Sequence, residues 1–139
     1  MESVQTAIGR SSTLDCHTSE REDAHPYKYG MSGYRLRRVL DYIENHLSEE
    51  LSLKAIAGIA GLSVSHCKYA FSKSVGSPIH RYIIHRRMER AKRLLAENVL
   101  SISQVAGQAG FTHKSHLAFH TRRTYGLSPK HLRQQLIGS

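Results

Sequence analysis

Ser65, Lys68 and Tyr69 stand three and four residues apart, the spacing that puts side chains on one side of an α-helix. Lys68 can donate to O6 or N7 of guanine, and Ser65 to several base edges. Tyr69 can touch a thymine methyl or donate to a phosphate. A second set, Lys114, Ser115, Ala118 and Phe119, has the same spacing. It offers an ammonium and a hydroxyl, with two apolar groups suited to thymine methyls. This is the chemistry of recognition, with no bond made or broken. No Ser/His/Asp order, phosphate-binding loop or ligand cluster accompanies it. His66, His80, His85, His113, His116, His120 and His131 are scattered over helical stretches, and an enzyme is not expected.

Two similar segments position these sets. LSLKAIAGIAGLS at 51–63 returns as LSISQVAGQAGFT at 100–112, offset by 49 residues. Each reads as a short helix, a glycine turn and a second helix, the helix-turn-helix pattern. In the first copy Ser52 caps a helix with Leu53, Ile56, Ala57 and Ala60 inward. Gly61 makes the turn, and Ser63 opens a helix that buries Cys67, Ala70 and Phe71. Val64, Ser65, Lys68 and Tyr69 are then its front. In the second copy Ser101 caps, Val105, Ala106 and Ala109 turn inward, Gly110-Phe111 makes the turn and Thr112 caps the next helix. That helix gains one residue, so Ser115-His116 matches Ser65-His66 at an offset of 50. Leu117 points inward and Thr121 takes the core phase. Phe119 either faces outward or, with the phase shifted by one or two residues, fills the core.

The flanks supply the remaining helices. Leu36, Val39, Leu40 and Ile43 stripe a helix over about 34–46, with Ser32 as its cap. Ser77-Pro78 and Ser128-Pro129 read as a cap followed by Pro at the first helical position. The first starts a long helix reaching about Asn98, and the second a short one anchored by Leu132 and Leu136. A helix of about 20 residues is about 30 Å long, close to one turn of duplex. The expected fold is all-α, with about seven helices: two helix-turn-helix subdomains joined by a long central helix. The expected divisions are an acidic, flexible arm at 1–33, a first subdomain at 34–76, a linker helix at 77–98 and a second subdomain at 99–139.

Charge separates the arm from the body. Residues 1–33 hold three Lys/Arg against five Asp/Glu, whereas 34–139 hold 17 against six, a net +11. A body so basic suits a polyanion. Two cysteines make no disulfide framework, and Cys67 reads as a small buried apolar residue. Cys16, His17 and His25 lack a fourth ligand, so neither a metal nor a cofactor is expected. No apolar run reaches 18 residues and no signal peptide opens the chain, so a cytoplasmic protein away from membranes is expected.

The combination fits double-stranded DNA, each second helix entering a major groove while the first crosses the backbone. Lys73, Arg86, Arg87, Arg122 and Arg123 are candidates for phosphate contact, which sets register without reading sequence.

From Tyr34 to Arg133 the chain resembles the DNA-binding domain of the AraC/XylS transcription regulators. The resemblance rests on LSLKAIAGIAGLSVSHCKYAFSKSVG, PIHRYIIHRRMERAKRLLAE and LSISQVAGQAGFTHKSHLAFHTRRTYGLSPKHLR, most specifically on the run from Ile102 to Pro129. It implies seven helices, asymmetric promoter sites bound by one domain, and activation through RNA polymerase. The chain is accordingly expected to act as a monomer on DNA unless it is a part of a larger regulator. The groove-facing positions implied are Ser65, Lys68 and Tyr69, then Lys114, Ser115, Ala118 and Phe119. Members often carry Arg where Tyr69 and Phe119 stand, so target preference should differ. An aromatic residue is common where Thr121 stands, which implies a thinner second core or a shifted helix. Residues 1–33 are too few for the sensing domain many members carry. The alternatives are a non-specific or architectural DNA binder and a protein-interaction module.

Overall fold

A computed structural model describes residues 30–138. Among these residues every regular element is helical: α1 (Gly33–Asn45), α2 (Leu53–Ala60), α3 (Val64–Val75), α4 (Ile79–Glu97), α5 (Ile102–Ala109), α6 (Lys114–Tyr125) and α7 (Pro129–Gly138). The all-α expectation and the seven helices are met. Most of the arm, with Cys16, His17 and His25, lies outside the described residues.

The chain forms two compact units, and their limits differ from those of the repeat. Among the described residues, unit 1 takes Gly30–Asn45 together with Leu51–Tyr82, and unit 2 takes His46–Glu50 and Ile83–Gly138. The long helix is thus shared between them, where a separate linker was expected.

In unit 1 the stripe Leu36, Val39, Leu40 and Ile43 of α1 is buried with Ile56, Ala57 and Ala60 of α2 and Cys67, Ala70 and Phe71 of α3. The alanines keep α2 slim enough for close packing. Phe71 meets the Tyr82 ring edge-on at 5.4 Å. Gly30–Ser32, expected in the arm, belong to this unit. Met31 is buried, its N–H donates to Ser74 Oγ at 2.8 Å, and that hydroxyl donates back to the Met31 carbonyl at 3.4 Å. A Cβ on Gly30 would collide with the same Oγ.

In unit 2 the core is Met88, Ala91 and Leu95 of α4, Val105, Ala106 and Ala109 of α5, Phe111 from the turn, Leu117 of α6 and Leu132 of α7. Thr121 is fully buried in the expected phase, and its hydroxyl donates to the Leu117 carbonyl at 2.6 Å. The i−4 bond satisfies the one polar atom that Thr brings where a large ring was expected. The helix keeps its phase, and Phe119 is 56% exposed, which settles its direction as outward.

Caps fix the helix ends. Ser52, Ser63 and Ser101 each accept from the backbone N–H three residues on, and Gln104 returns the favour at Ser101 in a full capping box. The cap of α6 differs from expectation. His113, not Thr112, is the N-cap, and its side chain makes no capping bond. Both second helices have 12 residues, so the extra residue sits in the turn after Gly110 rather than in the helix. That longer turn accompanies the burial of Phe111, whose counterpart Leu62 is only partly covered. At α4 the expected start moves by one residue. The Pro78 carbonyl accepts the first helical bond, from Tyr82 N–H at 3.0 Å, so Pro78 precedes the helix.

Gly110 and Gly126 both end helices in the left-handed region, with φ of 100° and 75°. Their surroundings differ. A Cβ on Gly110 would strike the Leu47 carbonyl and come within 2.6 Å of Arg87 Nε, whereas at Gly126 it would meet open space. Gly110→Ala should therefore lose roughly 2–4 kcal/mol, from strain plus overpacking. Gly126→Ala should lose about 1–2 kcal/mol, from strain alone. Urea denaturation of the two variants checks this ranking; equal losses would contradict it.

Candidate nucleic-acid interface

On α3 the buried side, Cys67, Ala70 and Phe71, leaves Ser65 and Lys68 exposed and Tyr69 half-buried. The Lys73 ammonium lies 5.9 Å from the Tyr69 ring centre, a cation–π approach that orients both side chains. The front of this helix is therefore two small or flexible donors beside a ring whose cation is already in place. Burial pushes the Cys67 thiol pKa up, so this sulfur stays protonated and serves as packing.

On α6 the outward residues are Lys114, Ser115 and Phe119, with Ala118 half-buried. Arg122 and Arg123 are exposed in the last turn, where they complement the partial negative charge of the helix end. The sequence of α6, KSHLAFHTRRTY, contains no acidic residue. Each predicted set is thus gathered on one helix of its own unit.

The remaining phosphate candidates are engaged within the protein. Arg86 pairs with Glu89 at 2.9 Å. Arg87 has a task different from the one expected. Its Nε donates to the Leu47 carbonyl at 3.1 Å and its terminal Nη2 to the Glu49 carbonyl at 2.8 Å. Burial pushes the guanidinium pKa down from its ordinary value, although arginine remains charged in water. Arg133 does the same elsewhere. It donates to the carbonyls of Leu95, at 3.2 Å, and of Leu100. The segments ahead of α2 and α5 are therefore each held by an arginine donating to backbone carbonyls in or just beyond the last turn of a helix. The only signal in the sequence was basic residues on apolar-periodic helices, which does not separate this role from a solvated charge.

Among the described residues no group of three or more His, Cys, Asp or Glu could hold a metal, and no helix is long and apolar enough to cross a membrane. Nor does any buried side-chain nitrogen or oxygen among them lack a hydrogen-bond partner.

Arg87→Gln removes the charged donors and should destabilise the fold by about 1–3 kcal/mol. Arg123→Gln, at an exposed site, should stay within about 0.5 kcal/mol of the parent. Chemical denaturation followed by circular dichroism checks both; an Arg87→Gln variant as stable as the parent would remove the structural role.

A helix-turn-helix domain family matches residues 56–135 of the chain. LumQ of Photobacterium leiognathi is 37% identical over 97 residues, which make up 68% of this chain and 39% of LumQ. The transcriptional activator RhaS of Escherichia fergusonii is 30% identical over 100 residues, 72% of this chain and 36% of RhaS. The chain thus spans less than two fifths of the length of these relatives. Among solved structures, the DNA-binding domain of the global transcriptional factor AdpA, determined with a target DNA, is similar with a TM-score of 0.70 and 31% identity. That match covers 73% of this chain and 91% of the AdpA chain. This chain belongs to the AraC-type family of helix-turn-helix DNA-binding domains.

Proposed function

We propose that the chain is a sequence-specific transcription regulator that binds double-stranded promoter DNA as a monomer and activates transcription through RNA polymerase in the cytoplasm. One observation carries the reading. Both second helices keep a buried side and an outward side, and the outward sides hold Ser65, Lys68 and Tyr69 on α3 and Lys114, Ser115, Ala118 and Phe119 on α6. The solved AdpA complex with target DNA and the activator RhaS support it.

In this reading each helix enters a major groove. Lys68 and Ser65 donate to base edges from unit 1. Lys114 and Ser115 donate from unit 2, where the other two front positions are apolar. Lys73, Arg122 and Arg123 meet phosphates, and Arg86 joins them by exchanging Glu89 for a phosphate oxygen. Arg87 stays with its carbonyls and supports the interface from behind.

Sites selected from random duplex should bind at least about 10³-fold more tightly than unrelated duplex at fixed, near-physiological salt. A ratio near one would favour an architectural binder, and affinity insensitive to salt would favour a protein-interaction module. Lys68→Ala should cost about 1–3 kcal/mol on the selected sequence and relax preference at one position. Arg123→Ala should weaken all sequences alike and reduce the salt slope by about one. Fluorescence anisotropy against matched and mismatched duplexes at several salt concentrations measures both. Uniform losses in the two variants would reject this division of roles.

A further inference from the structure

The second helices of the two units differ in how they hold their aromatic front residue. In unit 1 the residue after Tyr69 is Ala70, buried and without a ring. In unit 2 the residue after Phe119 is His120, and a continuous line of ring contacts runs from the core outward through it. Phe111, 3% exposed, is part of the core. His120 stacks on Phe111 with ring centres 5.5 Å apart and planes 30° from parallel. Phe119 meets His120 edge-to-face, at 5.1 Å and 82°. His116 braces the line, 5.1 Å from His120 and 5.8 Å from Phe111.

Successive residues on a helix point about 100° apart and do not ordinarily face each other. The Phe119 ring therefore leans along the helix surface toward His120 rather than standing free. A ring held this way loses little rotamer freedom when it meets a ligand, so more of its contact energy appears as affinity. Phe119 is also 56% exposed on a helix that carries Lys114, Arg122 and Arg123 and no acid. An apolar ring framed by cations suits a surface that is polyanionic at its edges and apolar at one point. The major groove at a thymine has that character, with phosphates on the rim and a 5-methyl group on the floor.

We infer that Phe119 is a thymine-methyl reader and that His120 is its positioning residue, seated on Phe111. The inference rests on the DNA-reading role proposed above. It adds methyl readout to unit 2 beside the polar donors Lys114 and Ser115. His120 acts only through Phe119 and need not touch DNA.

The test uses the full chain and a duplex it selects from random DNA, with each thymine replaced in turn by deoxyuridine, which lacks only the methyl group. For the parent protein, deoxyuridine at one or two positions should weaken binding about fourfold, the value of one buried carbon. Phe119→Ala should bind more weakly and show no difference between thymine and deoxyuridine at those positions. His120→Ala should keep its fold by circular dichroism and lose at least half of the discrimination, and His120→Phe should restore it. A selected site with no methyl-sensitive thymine overturns the inference, as does full methyl sensitivity in Phe119→Ala or His120→Ala. A protein that selects no site at all overturns the sequence-specific reading itself, and this inference with it.

Discussion

A helix that offers half its circumference to a partner is held in place by the other half alone. That constraint governs both units. Each second helix has 12 residues, and its buried side comes down to a few positions. In α3 they are Cys67, Ala70, Phe71 and Ser74; in α6, Leu117 and Thr121. The second set is smaller in volume, and unit 2 makes up the difference from outside the helix. Phe111 enters the core from the lengthened turn and carries His120 on its face. The shape of the turn, the choice of Thr121 and the posture of Phe119 follow from that one substitution of packing partners.

The arginines divide into two kinds for a related reason. A half-buried guanidinium near carbonyls at a helix end gains hydrogen bonds that are stronger for being partly shielded from water. Arg87 and Arg133 are of this kind. An arginine at an exposed helix end keeps its charge available to solution, as Arg122 and Arg123 do. The first kind stiffens the segments ahead of α2 and α5, and the second projects field beyond the surface. A count of positive charges treats them alike, although only the second kind leaves its charge exposed to solution.

Much of this was legible in the sequence because local rules dominated. Periodicity picked out the stripe of α1 and both buried sides, and Ser52, Ser63 and Ser101 marked their helix starts through bonds that span three residues. The front residues followed by subtraction. Phe119 could be assigned two ways only because Thr121 broke the packing pattern, and the bond from its hydroxyl to Leu117 explains why the phase held. What escaped was set by distant partners. Arg87 finds its acceptors 40 and 38 residues away, and Met31 meets Ser74 across 43. The start of α6 escaped because a threonine in the right place looked like a cap, while the longer turn moved the cap to His113. No periodicity reports such contacts, so neither the reach of unit 1 back to Gly30 nor the carbonyl partners of Arg87 can be read from the sequence.

The placement of His46–Glu50 in unit 2 has a consequence for how the chain reaches its native state. Unit 2 is assembled from two pieces, and residues 51–82, which lie between them in sequence, belong to unit 1. Closing the Arg87–Leu47 contact therefore closes a loop around most of another folding unit. The entropy of closure rises only with the logarithm of loop length, but a loop that has already folded is effectively shorter. Folding of unit 1 first would thus lower the barrier to completing unit 2, whereas a fragment beginning at Ser77 would leave Arg87 without its acceptors. The unit built on the second copy of the pattern is thus complete only with residues that precede the first copy.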